Sequence, residues 1–150
     1  MLFIKSAKKG FTLIELLVVI GILATLLAIT LVAINPVRQF QQANNTKRSS
    51  DVNAILNAIN QYAANNRGAL PAGISATTQT ISDTGADICA DLITQYIAAL
   101  PADPSVGGGA AITDCTVAYN SGYTVLTGSD NRVTVNAPSA ELGAIISVTR

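Results

Sequence analysis

The sequence predicts an α+β protein: a long N-terminal α-helical stem, transmembrane in its first half, packed against a small C-terminal antiparallel β-sheet head. Three observations predict it. First, Phe11 to Ile34 is a run of 24 residues broken only by Thr12, Glu15, Gly21, Thr25 and Thr30. Second, Val52, Ile55, Leu56, Ile59, Tyr62 and Ala63 recur at three- and four-residue steps, the signature of one buried helix face. Third, the segment after residue 120 loses that period and alternates in short runs punctuated by Gly, Ser, Asp and Asn, as hairpin strands do.

Composition excludes several classes of function. Formal net charge is zero and charged residues make up only 12% of the chain, so no basic excess steers it toward nucleic acid. Nothing aromatic interleaves with the one charge cluster of the stem, Arg38, Lys47, Arg48 and Asp51, which reads as a solvated face or a neighbour contact rather than a nucleic-acid site. There is no histidine, which rules out a Ser-His-Asp triad and any His-bearing metal site. The chain also lacks a Gly-Lys-Thr phosphate loop and a dinucleotide fingerprint. Asp103, Asp114 and Asp130 fall in expected loops, but their spacing matches no calcium loop and they read as ordinary loop aspartates. No catalytic, cofactor-binding or metal-ligating residue is expected, and the chain does not read as an enzyme.

The N-terminus admits three readings. As a helix, the apolar run would be roughly 36 Å long, enough to cross a hydrocarbon core. A secretory signal peptide would share the basic start at Lys5, Lys8 and Lys9, but its apolar region is shorter and a small-residue cleavage site follows it. A plain anchor fits the length, with the lysines held in the cytoplasm. Neither explains Glu15, a carboxylate that costs about 2.5–3.5 kcal/mol at membrane depth. The stretch Gly10-Phe-Thr-Leu-Ile-Glu15, behind a short basic leader, resembles the processing site of type IV pilins and of the pseudopilins of type II secretion.

That resemblance implies a prepilin peptidase that cuts between Gly10 and Phe11, removing residues 1–10, and methylates the new N-terminus at Phe11. It assigns Glu15, with Thr12, to assembly. The local alternative is that Glu15 simply meets the positive end of its own helix, or reaches the Phe11 amine four residues back. The intermolecular one is that it pairs with the Phe11 ammonium of an adjoining copy, where any misregister leaves both charges buried and unpaired.

Asn35-Pro36 interrupts the run, and a proline inside a helix loses a hydrogen bond and crowds the carbonyl four residues back. Because the period resumes, the sequence predicts one kinked helix over residues 11–66, with the membrane-spanning filament core at 11–34. In the family, the helix can loosen between a glycine and a proline in the filament. Gly21 and Pro36 could bracket such a segment, although Pro36 lies further from the cut than is usual.

Residues 67–150 are expected to form the head. Thr, Ser, Ala and Gly dominate to about Gly85 and read as an exposed loop. A helix is predicted over 87–100, with Ile88, Leu92, Ile93, Tyr96 and Ile97 inward and Pro101 as its stop. Runs at 122–127 and 132–135 flank a turn at 128–131, and 144–148 reads as the last strand. Cys89 and Cys115 would both lie outside the membrane, where a disulfide is favoured over two separate buried thiols.

Together these features imply a structural subunit that waits in the cytoplasmic membrane, single-pass with its head outside, and then enters an extracellular homo-oligomeric helical filament. The partners implied are the peptidase, an assembly ATPase and membrane platform proteins. Adhesion, twitching, DNA uptake and secretion are all roles open to such filaments. The rival expectations are a pseudopilin of type II secretion and a membrane-anchored extracellular binding module that keeps its leader and never polymerises.

Overall fold

The structure is a computed structural model that describes residues 10–150 of the chain. It comprises two compact units, one ending at Val37 and the other running from Arg38 to Arg150. The leader lysines Lys5, Lys8 and Lys9 lie outside the described residues.

The first unit holds helix α1 (Leu13–Ala33). Fourteen of its 21 residues are Leu, Ile or Val and none is buried. The threonines set among them do not leave bare hydroxyls: Thr25 donates to the Ile22 carbonyl at 2.8 Å and Thr30 to the Leu27 carbonyl at 2.9 Å. Where the sequence predicts a kink within one helix, the structure has a break. Ile34 is extended, at φ −101° and ψ 101°, and helix α2 (Pro36–Asn65) begins at the proline itself. Both facts follow from the proline. It disfavours helical geometry in the residue before it, and its missing N–H costs nothing at the first position of a new helix.

The second unit is the head, and α2 belongs to it from Arg38 onward. Val52, Ile55, Leu56 and Ile59 are wholly buried, and they share one core with Tyr123, Val125, Val133 and Val135. Those last four residues come from the sheet, whose strands are β1 (Gln79–Ser82), β2 (Asn120–Thr127), β3 (Val133–Asn136) and β4 (Ser147–Thr149). They pair antiparallel in sequence order. Inward and outward residues alternate along β2 and β3, which is how the pleat turns Tyr123, Val125, Val133 and Val135 onto α2.

Three expectations are corrected. The stretch before Gly85 is not all loop: β1 pairs with β2, and Ile81 is fully buried there. Its sequence, Gln-Thr-Ile-Ser, has too little apolar alternation to announce a strand; pairing with β2 makes it one. The helix expected over 87–100 shortens to α3 (Cys89–Leu92). Ile93 is extended, Thr94 takes a positive φ of 72°, and its N–H returns to the Ile97 carbonyl at 3.0 Å, so Leu92 is buried from α3, whereas Ile93 is buried, and Tyr96 and Ile97 half-buried, from the turn that follows. The last strand begins at Ser147 rather than at 144. Near the start of α3, Cys89 and Cys115 form a disulfide with their Cα atoms 5.6 Å apart. The cross-link is worth about 3 kcal/mol through the lost freedom of the unfolded loop.

A buried ionic clasp ties two loops to α2. Arg48, expected on a solvated face, is 2% exposed, and Asp103 is fully buried. The guanidinium donates to both Asp103 oxygens, from Nε at 2.8 Å and from Nη2 at 3.1 Å, and from Nη1 to Glu141 Oε2 at 2.8 Å. Ser105 donates its N–H and hydroxyl to Asp103 Oδ1. The Asp103 N–H donates to the Ser121 carbonyl of β2 at 2.8 Å, so the clasp spans helix, loop and sheet. Lys47 reinforces it, donating to the Ala102 carbonyl at 2.8 Å and to Asp51 at 3.0 Å. Asp51 in turn accepts from the Tyr123 hydroxyl at 2.7 Å. Gly122 makes room for this loop: at its φ of +75°, a Cβ would stand 2.8 Å from Val106 Cγ2 and 2.9 Å from Asp103 Cβ.

Burial pushes the Asp103 carboxyl up, but the hydrogen bonds from Arg48 and Ser105 outweigh it and hold it below its ordinary value. Arg48 and then Asn44 hold Glu141 down as well. Burial, together with donation to Asp51, raises the Tyr123 hydroxyl.

Arg48→Ala strands Asp103 as a buried, unpaired charge and is expected to cost the head about 3–5 kcal/mol, measured by denaturant unfolding. Depressed carboxylate values mean that the unfolded chain takes up protons first as pH falls, so the clasp's contribution is intact above the unfolded values and lost below them. The thermal midpoint should stay level from neutrality to about pH 5 and fall below about pH 4. A midpoint that stays level down to strong acid would show that the clasp does not titrate on unfolding.

Candidate functional site

The residues singled out for processing and assembly lie at the start of α1. Gly10 and Phe11 precede the helix and are exposed, Phe11 at 87%. Thr12 has extended geometry (φ −82°, ψ 151°) and forms the N-cap. Its hydroxyl oxygen accepts from the Glu15 N–H at 3.2 Å. Glu15 reaches back, its Oε2 accepting from the Thr12 N–H at 2.8 Å and from the Thr12 hydroxyl at 2.7 Å. This is a capping box, in which each residue satisfies a helix-end donor of the other. The stretch Thr12-Leu-Ile-Glu15 carries the sequence signature of that motif; sequence reasoning assigned both residues to assembly without noting that they bind each other.

The arrangement has a chemical consequence. A helix start in lipid leaves backbone N–H groups that nothing in the hydrocarbon can satisfy. The Thr12–Glu15 exchange covers two of them within the chain. It uses one carboxylate oxygen, and an ionised carboxylate has about four acceptor sites, so Oε1 carries none of these bonds and Glu15 keeps capacity for a cation.

The other residues singled out do not gather here. Gly21 lies in the middle of α1, and a Cβ built on it meets nothing within 4 Å. Pro36 opens α2. The Cys89–Cys115 bridge is in the head. Among the described residues, no three Asp, Glu, Cys or His side chains are placed to hold a metal ion. What sequence reasoning missed in the head is the Arg48–Asp103 pair, whose members are 55 positions apart and carry no local signal of each other.

Among the described residues, α1 is the one helix long and apolar enough to cross a membrane. At about 1.5 Å per residue its 21 residues extend about 31 Å, close to the thickness of a hydrocarbon core.

Comparison with curated proteins finds no match, and comparison with solved structures finds none either. Residues 5–31 do match a family model, the prokaryotic N-terminal methylation motif. The match takes in Gly10, Phe11, Thr12, Glu15 and Gly21 and most of α1. It implies processing by a prepilin peptidase and assembly in a pilus-like system, and with the apolar helix it fits membrane anchoring. Residues 5–31 thus carry the class III signal peptide of type IV pilin-like proteins.

Proposed function

We propose that this chain is a pilin, the structural subunit of a type IV pilus-like surface filament, held in the cytoplasmic membrane with its head outside until it assembles. The observation that carries the proposal is α1 itself. It is apolar on every side, and its large apolar side chains stand between 52% and 87% exposed. A surface of that kind must be covered, by lipid before assembly and by the same helix of other copies after it. Head-to-tail contacts between copies do not close on themselves and so propagate a filament.

In this reading the peptidase removes residues 1–10 and methylates Phe11. The new ammonium then meets Glu15 of an adjoining copy, which sets the stagger between neighbours. The capping box does not compete with that role, because it occupies Oε2 and leaves Oε1. Gly21 and Pro36 bracket the segment proposed to loosen in the filament. An assembly ATPase and membrane platform proteins would drive extension. The Thr-, Ala- and Gly-rich, weakly charged head suits an exposed pilus surface, and it is the feature that favours a pilus over a secretion pseudopilus.

Two measurements test the proposal. The intact mass of the mature chain should correspond to residues 11–150 plus one methyl group; a chain still carrying Met1 would support the solitary anchored module instead. Glu15→Gln separates the two roles of Glu15, since glutamine completes a capping box but carries no charge. Leaving the neighbour's ammonium buried and unpaired costs about 3–5 kcal/mol per contact. Surface filaments counted by electron microscopy should therefore fall at least tenfold in both Glu15→Gln and Glu15→Ala. Normal numbers in Glu15→Gln would confine Glu15 to capping its own helix.

A further inference from the structure

A cleft in the head holds a carboxylate that no cation answers. Its volume is about 330 Å³; Val106, Ala110, Ile112 and Val117 make its walls apolar, and Asp114 is the charged residue among those lining it. The Thr116 hydroxyl donates to Asp114 Oδ1 at 2.7 Å and the Thr116 N–H at 2.8 Å. These bonds hold the carboxyl below its ordinary value. Both fall on one oxygen, so the carboxylate is oriented and keeps acceptor sites to spare. The cations nearest in the fold are committed elsewhere. Lys47, whose Nζ lies 3.5 Å from a Cβ built on Gly109, is bonded to Asp51 and to the Ala102 carbonyl. Arg48 is shared by Asp103 and Glu141. Among the described residues, no ion pair forms at Asp114.

The complementary charge stands just beyond the end of α2. Among the described residues of the head, Arg67 is the cation whose side chain forms neither an ion pair nor a hydrogen bond; Arg132 has Asp130, Arg150 has Asn57, and Arg38 is also engaged. Arg67 is exposed. Its φ is 58°, at a left-handed position after a helix that glycine or asparagine usually fills. An outlier of that kind is a pointer to function. Cleft and cation lie toward opposite ends of α2. Gly109, between the lining residues Gly107 and Ala110, is the neighbour of Lys47, and Lys47 stands about 27 Å along the helix from its last residue, Asn65. Two copies can supply what one head does not. Such a contact is heterologous, each copy offering Arg67 to one neighbour and its cleft to another, so the series does not have to close.

Resting on the filament reading above, we propose that Arg67 of one copy enters the cleft of the next and pairs with its Asp114. A guanidinium forks onto a carboxylate through two parallel hydrogen bonds, and the aliphatic stem of the arginine lies along the apolar walls. Asp87, which accepts from the hydroxyl of the lining residue Tyr119 at 2.8 Å, adds negative potential on the same side of the head and draws the cation in. This contact joins head to head, where the Glu15 contact joins stem to stem.

Charge exchange tests the pair in the full chain, expressed in cells that lack the native copy. Surface filaments are counted by electron microscopy. An intact head is verified by the Cys89–Cys115 bridge in the unreduced mass and by an unchanged thermal midpoint. Aspartate tolerates left-handed geometry, so Arg67→Asp spares the turn, and Asp114→Asn keeps an acceptor for Thr116. Arg67→Asp and Asp114→Arg should each lower the count at least tenfold, because each sets like charges against one another in the contact. Combined in one chain they should restore it to within about threefold of the native count. Should Asp114→Arg disturb the head, the neutral pair decides: Arg67→Gln and Asp114→Asn together should lower the count no further than either alone. Single variants with native counts overturn the contact, while the filament reading stands and the cleft is left to a basic ligand other than this chain. Losses that multiply in the combined variants, with the head intact, overturn the pair as well. A native chain that forms no filaments overturns the filament reading and the contact together.

Discussion

A helix that is apolar all round cannot be satisfied by its own chain. What covers that surface is the constraint on the first unit of this protein. The fourteen Leu, Ile and Val residues of α1 favour the bilayer by about 4–8 kcal/mol on insertion scales. Glu15 opposes them by at most about 2.5–3.5 kcal/mol, a figure for the bilayer centre rather than for a helix end. On these scales the aliphatic side chains outweigh the carboxylate, which fits membrane anchoring. If copies pack into a filament, as proposed, packing among identical helices would replace lipid contact without a hydrophobic gain of its own, and the groups that differ from lipid would then set register. Glu15 is the one ionisable group in α1.

The capping box clarifies how such a group is tolerated. Thr12 and Glu15 satisfy each other's helix-end donors, so the chain carries its carboxylate already oriented, with two hydrogen bonds on one oxygen. Pre-orientation matters for a contact between copies, because side-chain ordering is then settled before the partner arrives. It also gives Thr12 a definite task. Its hydroxyl both donates to the carboxylate and accepts from the Glu15 N–H, which a residue without a hydroxyl at that position cannot reproduce.

The parts of this fold that were legible in the sequence are those in which one local pattern repeats. The apolar run, the Val52–Ile59 stripe and the hairpin around residues 128–131 each announce themselves within a short window, and each is present; the Cys89–Cys115 bridge, 26 positions apart, followed instead from the placement of both cysteines beyond the apolar run. What was illegible depends on partners distant in the chain. Gln79–Ser82 becomes a strand because β2 lies beside it. The Ile88–Ile97 segment has a helical spacing of apolar residues, yet the helix stops at Leu92 and a turn at Thr94 carries Tyr96 and Ile97, which are only half-buried. Arg48 looks like one more solvated cation until Asp103 and Glu141 arrive from 55 and 93 positions away. In the candidate site the capping box is a local motif, Thr-x-x-Glu, written in the same six residues as the processing pattern.

The head's architecture also answers a hazard that crowding creates. A sheet edge offers unpaired backbone groups to any neighbouring edge, and a shell of identical heads would bring such edges together repeatedly. The two edge strands here are β1 and β4, of four and three residues. β1 breaks register between Thr80 and Ser82, which interrupts the row of groups it could present. β4 is Ser-Val-Thr, with Thr149 bonded across to Thr134 at 2.8 Å and the carbonyl and N–H of Arg150 both paired with Val133. The long inner strand β2 is covered on both sides. Short, irregular and polar edges leave side-chain contacts and the stem to govern how copies meet, so the register of a polymer built from this chain would rest on α1 rather than on strand pairing between heads.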